Sequence, residues 1–189
     1  MGAFTVIPQD TFNELQLDAG LLLSTFDPSD PSVQDEDIIC ATTGGITVSC
    51  VPTYSDFGAD IDNCPNNTKE LKHLDEWDCK MSTTAVAASE EVLQLSLGAF
   101  EKTTGANAVT KPVKDLAQEH FKNLWWVGDR ADGGFAAVKL LNALSTGGYS
   151  LKTTKNGKGQ FSIELTGHVS INAQNVMPME FYIVEGSGA

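Results

Sequence analysis

From residue 161 apolar and polar side chains alternate: Phe161, Ile163 and Leu165, then Gly167, Val169 and Ile171, are separated by Ser162, Glu164, Thr166, His168 and Ser170. A period of two belongs to a strand with one buried and one wet face, so the pattern predicts a strand over 160–171. Upstream, Lys155-Asn156-Gly157-Lys158-Gly159 contains Asn-Gly, a pair that accepts the positive φ angles of a tight turn. Residues 149–154 should therefore pair antiparallel with that strand. Asp132-Gly133-Gly134 is a second signal of this kind and places 124–128 beside 135–143. The block 121–171 reads as consecutive antiparallel strands on which the remaining chain can fold.

Elsewhere the pattern is more mixed. Phe12, Leu15 and Leu17 suggest a short strand, and Leu21-Leu22-Leu23 leads to Asp27-Pro28 and Asp30-Pro31, two X-Pro steps that stop regular structure. A solvated acidic loop continues through Asp35-Glu36-Asp37; it lacks the alternate-residue spacing, central Gly and closing Glu of a calcium loop. Two β-branched runs, 38–42 and 46–54, flank Gly44-Gly45 and read as a hairpin. Residues 55–71 then form a long loop rich in Asp, Asn and Gly, of a length that usually has a task or is mobile. Residues 76–87 predict a strand with Trp77, Cys79 and Met81 on one face. Ser89-Glu90-Glu91 followed by Val92, Leu93, Leu97 and Phe100 predicts one capped helix over about 89–101, ended by Thr103-Thr104-Gly105. A polar linker runs on to Pro112, and 113–120 is a helical turn or a loop. Trp125 and Trp126, adjacent on a strand, must take opposite faces, the outward indole being covered by the helix or by another subunit. Residues 180–184 make a last strand before the frayed tail 186–189.

Composition bounds what these elements can be. With 189 residues, 41% hydrophobic and 20% charged, the chain suits one folded domain over 1–189. No signal-like apolar run follows Met1 and no stretch approaches the roughly 20 apolar residues of a membrane span, so a soluble protein made in a cytoplasm is expected. The charge is uneven: residues 1–79 hold 15 Asp and Glu against 2 Lys, whereas residues 80–189 hold 10 acids against 10 Lys and Arg. The entire excess of −13 thus belongs to the first part, and such a surface repels phosphates. Cys40, Cys50, Cys64 and Cys79 show no zinc-ligand spacing and are expected to be free thiols; a Cys40–Cys50 bridge across the Gly44-Gly45 hairpin is the pairing that would oppose this.

Candidate chemistry is sparse. His73, His120 and His168 are scattered singly, and there is no HExxH helix, G-x-S-x-G elbow or Walker loop. Gly157-Lys158-Gly159-Gln160 lies in a hairpin and offers phosphate no helix N-terminus. No catalytic residue, cofactor or metal ligand is therefore assigned. A secreted or surface β-sandwich binding module is the competing reading, and it predicts oxidised cysteines and a monomer; a hydrolase would need acids gathered around a pocket.

The stretch WWVGDRADGGFAAVKLLNALSTGGYSLKTTKNGKGQFSIELTGHVSI with the terminal PMEFYIVEG resembles the major tail proteins, or tail tube proteins, of long-tailed non-contractile bacteriophages. The upstream order, an early strand with LDAGLLLSTFDP, two strands about Gly44-Gly45, a long loop, a strand and a helix, fits as well. The resemblance implies an antiparallel β-sandwich or small barrel with a flanking helix, six copies joined in a ring, and rings stacked into the tube that conducts the genome. It implies a virion tail protein made in the bacterial host cytoplasm, with no membrane binding. Its partners would be itself, a tape measure and a tail terminator, and DNA would pass without specific binding. In that setting the 55–71 loop, with Asp56, Asp60, Asp62, Asn66 and Asn67, is a candidate for reaching a neighbouring subunit. Glu164, on the polar face of its strand, is a candidate for the lumen, where acids would keep phosphates off the wall.

Overall fold

The computed structural model describes residues 6–103 and 109–186. In chain order they form β1 (Leu21–Leu23), β2 (Thr42–Asp56), β3 (Lys72–Ala85), α1 (Glu90–Leu97), β4 (Phe100–Lys102), β5 (Thr110–Pro112), β6 (Lys122–Asp129), β7 (Phe135–Ser145), β8 (Ser150–Lys152), β9 (Gln160–Thr166) and β10 (Met179–Val184). The architecture is mainly β and antiparallel, with one α-helix among the described residues.

One sheet runs β1-β6-β7-β9-β3-β2, with β10 added to β7 and β8 to β9. Beyond β1, Ile39 N donates to Leu22 O at 3.0 Å and Ser24 N to Asp37 O at 2.8 Å, so the chain entering β2 curls the sheet back toward its own first strand. β7 makes the corner. Its first part pairs with β10, its last residues Leu144 and Ser145 pair with β9, and between them Asn142 takes a φ of 48° where β6 and β7 slip register. The inward rows Leu124, Val138 and Leu140 on one side and Met81, Ile163 and Leu165 on the other fill a single core. Leu23, Phe26, Trp125 and Ala137 form a second cluster on the opposite face of β1, β6 and β7.

The expected hairpins around Gly133 and Asn156 are present, as β6–β7 and β8–β9. Several elements differ from expectation for identifiable reasons. Gly44-Gly45 is no hairpin turn: both φ angles are positive (79° and 85°), but the pair bulges out of one continuous strand whose partner, β3, runs past it unbroken. Left-handed glycines serve a bulge as readily as a turn, so the local signal was ambiguous. The strand from 160 stops at Thr166 because Gly167 passes against Leu140 and Pro178, where a Cβ would lie 2.7 Å from Leu140 Cδ1, and because β10 takes over the edge of β7. Val169 and Ile171 are accordingly exposed.

Residues 12–17 are not a strand. A 3-10 turn (Gln9–Phe12) precedes a stretch held to the β6–β7 turn by Leu17 N donating to Asp129 O at 2.8 Å and Ala131 N donating to Leu15 O at 2.9 Å. That stretch reaches Trp126, whose Nε1 donates to Ala19 O at 3.0 Å and whose ring packs against the main core, while Trp125, on the opposite face, meets Phe26 and Tyr182. The helix starts as expected, with the Ser89 hydroxyl accepting from Val92 N, but Gly98 at φ 73° ends it, and Phe100 opens the small β4–β5 hairpin that the sequence showed only as a linker. Of the residues named as its end, Thr104 and Gly105 lie outside the described residues, as does the tail 187–189. Val92 and Ser96 are its buried line, and Ser145 Oγ ties it to β7 by donating to Ser96 O at 2.7 Å.

Candidate assembly surfaces

β2 and β3 outrun the sheet. β9 accompanies β3 only from Lys80 to Ala85, so the ladder from Cys50↔Cys79 to Asp56↔Lys72 is a two-stranded arm about 25 Å long, capped by residues 57–71. Pro52 fits here, since a residue without an N–H is tolerated on an edge strand. The core continues onto the arm: on the face of Cys50 and Cys79 follow Pro52 opposite the half-buried Trp77, then Tyr54 opposite Leu74, both exposed. At the tip Phe57 and Ile61 are 65% and 52% exposed.

The five loop residues singled out from sequence separate into two roles. Asp56 and Asn67 hold the loop. Asp56 Oδ1 accepts from Gly58 N at 3.0 Å, its Oδ2 accepts from Asn67 N at 3.3 Å, and Lys72 Nζ donates to Asn67 Oδ1 at 2.9 Å. Asp60, Asp62 and Asn66 are exposed at the tip. The loop is a succession of turns, with Ile61 N donating to Gly58 O, Cys64 N to Ile61 O and Leu71 N to Thr68 O. Across residues 50–79 the sequence counts seven acids against two Lys.

At the other end of the β3–β9 ladder, where Ala85 meets Phe161, β8 and β9 are joined by a turn flanked by Lys152, Lys155 and Lys158. All three are exposed, no acid lies between residues 150 and 160, and none of the three takes part in an ion pair among the described residues. The sequence reading treated this stretch only as a turn. Its position opposite the acidic arm becomes visible only from the pairing of β3 with β9.

Glu164 lies on the outward face of that ladder, in the rows Thr47–Ser82–Glu164 and Ser49–Lys80–Thr166. This face is mostly hydroxyls, with Lys80 2.8 Å from Asp78; that hydrogen bond raises the Lys80 pKa, with Glu164 adding to it. The acidic excess is therefore concentrated on the arm and in the segment before β2, not around Glu164. A further surface escaped the sequence reading: among the described residues β10 pairs only with β7, and its Phe181 and Ile183 are 63% and 72% exposed. The unbroken apolar run Phe181-Tyr182-Ile183-Val184 was the signal, because a strand at the sheet's edge with apolar residues on both faces leaves one of them uncovered.

The histidines are engaged locally. His120 Nδ1 accepts from Ala117 N at 3.1 Å and its Nε2 faces Phe100 O at 2.9 Å. His168 Nδ1 contacts Asn142 O at 3.1 Å, and His73 stacks near Phe57. Four free cysteines are present, and the pair brought together is Cys50 and Cys79, not Cys40 and Cys50. Among the described residues no group of three or more His, Cys, Asp and Glu is placed to hold a metal, and no helix is long and apolar enough to cross a membrane. The chain matches no protein-family model and no curated protein.

Proposed function

We propose that the protein is a structural subunit that assembles with copies of itself, head to tail, into stacked rings forming the tail tube of a long-tailed non-contractile bacteriophage. The observation that carries this reading is the polarity of the β3–β9 ladder, with an acidic, apolar-striped arm at one end and, at the other, three lysines outside any ion pair among the described residues. A two-stranded ribbon is marginal on its own, and a contact between two different patches of one molecule propagates into a ring or a filament. The exposed edge of β10 supplies a second, lateral contact of the kind that joins sheets around a ring.

In this reading the hydroxyl-rich face bearing Glu164 is a wall that offers DNA no cationic row to adhere to, and the tube acts by non-adhesion and not by catalysis. A tape measure and a tail terminator would be its companions in the virion tail. Negative-stain microscopy with sedimentation of the purified protein tests the assembly directly: rings or tubes in dilute buffer support it. A protein that stays monomeric at all concentrations and salts refutes it.

A further inference from the structure

We propose that Cys50 and Cys79 are a cross-strand disulfide site at the root of the arm, closed by exchange with a low-molecular-weight disulfide. The two residues are directly opposite in the β2–β3 register, and their sulfurs lie 2.8 Å apart. Opposed residues of antiparallel strands have Cα atoms about 4.5–5.5 Å apart, within the roughly 4.4–6.8 Å that a disulfide spans. The other two thiols are held elsewhere. Cys40 is buried ahead of β2, and Cys64 sits in the loop against Pro65 O at 3.7 Å and Thr68 Oγ1 at 3.6 Å.

The order of events follows from access. Cys79 is fully buried, and Cys50 is half-buried. Cys50 therefore meets the reagent first: its thiolate attacks RSSR, one RS⁻ leaves and takes up the Cys50 proton, and a mixed disulfide remains. The Cys79 thiolate then attacks the Cys50 sulfur and expels the second RS⁻, which takes up the Cys79 proton. Two electrons pass from the cysteines to the reagent, which ends as two RSH. Burial, then the hydrogen bond from Cys50, pushes the Cys79 thiol up to about 12, so the second step is slow and needs the arm's root to open.

The site marks the point where β9 has just left β3 and the arm continues as two strands alone. A bond there ties the two strands together where the third leaves them. The inference rests on strand register and does not depend on the assembly reading.

The test compares the purified protein after reduction with dithiothreitol and after incubation with oxidised glutathione, in a buffer where it is monomeric. Fragmentation of linked peptides between Cys40 and Cys50 should locate a 50–79 bridge, with Cys40 and Cys64 still alkylated. The oxidised form should melt about 5–10 °C higher and lose the gain on reduction. Cys50→Ala, at the less buried position, should fold and show no such gain. Persistence of a Cys50–glutathione adduct without ring closure, a bridge to Cys40 or Cys64, or an unchanged melting temperature on bridging would overturn the proposal.

Discussion

Reversing Lys152, Lys155 and Lys158 together to Glu probes the polarity on which self-assembly is proposed to rest. All three are exposed and outside any intrachain ion pair among the described residues, so the fold should hardly notice. Surface changes of this kind usually shift stability by no more than about 0.5 kcal/mol. At the contact, three screened attractions of roughly 0.2–1 kcal/mol each become repulsions of similar size. The change sums to about 1–6 kcal/mol, an association weaker by about fivefold at least. Sedimentation at about 50 mM salt should show the triple variant disassembled where the wild type is assembled, while both melt alike. Raising salt should weaken the wild type and spare the variant, because exposed charges are screened beyond about 8 Å at physiological strength. A second variant, Asp60→Lys with Asp62→Lys, should fail alone and assemble when mixed with the triple variant. If the triple variant assembles at low salt as the wild type does, the complementarity argument is wrong.

Four further outcomes are expected. Ser89→Ala removes the hydroxyl that accepts from Val92 N and should cost about 1 kcal/mol, lowering the melting temperature by a few degrees in a thermal scan. Gly20→Ala should destabilise more than Gly44→Ala, by about 1–3 kcal/mol against about 1. Both have positive φ, but a Cβ at Gly20 would lie 2.5 Å from Val127 O and 2.6 Å from Trp126 Nε1, whereas at Gly44 it meets nothing; denaturant titration followed by tryptophan fluorescence checks the order. Leu165→Ala, at a fully buried core position, should cost about 2–5 kcal/mol by the same titration. The Gly134 amide, then the Arg130 guanidinium, lower the Asp132 pKa below 3.8. A depressed carboxyl contributes stability above its unfolded value and loses it as pH falls through the folded one, so the gap between wild type and Asp132→Asn should be constant near neutrality and shrink below about pH 4. A gap that grows on acidification would contradict that sign.

The β8–β9 hairpin was legible because it carried two independent signals, a period of two at Phe161, Ile163 and Leu165 and a turn pair at Asn156-Gly157. A turn signal standing alone succeeded at Asp132-Gly133-Gly134 and misled at Gly44-Gly45. Gly44-Gly45 satisfied a turn locally, yet only the continuous partner β3 decides between turn and bulge, and that partner is some forty residues away in sequence. The alternation past Thr166 was real in the sequence but lost its ladder to β10, a competition no local pattern records. The outward indole of the Trp125-Trp126 pair was expected to need the helix or a neighbour, but Trp125 meets Phe26, from the segment after β1, and Tyr182, from β10, partners that no local pattern records.

The candidate surfaces show the same division between what a count can give and what topology must supply. The count of acids in residues 1–79 was readable, but not its placement: seven of the fifteen fall on residues 50–79, which protrude from the body. The three lysines of the β8–β9 turn were equally plain, and became a counterpart only when β9 was found beside the half of β3 farthest from the arm. One antiparallel ladder therefore carries both signs at its two ends, separated by the length of β3. A molecule built this way cannot satisfy its own charge by folding, because the rigid strand that connects the poles also keeps them apart. In the proposed assembly a second molecule would bring its lysine turn to the acidic arm, and the exposed Tyr54, Phe57 and Ile61 would give that contact apolar area to bury.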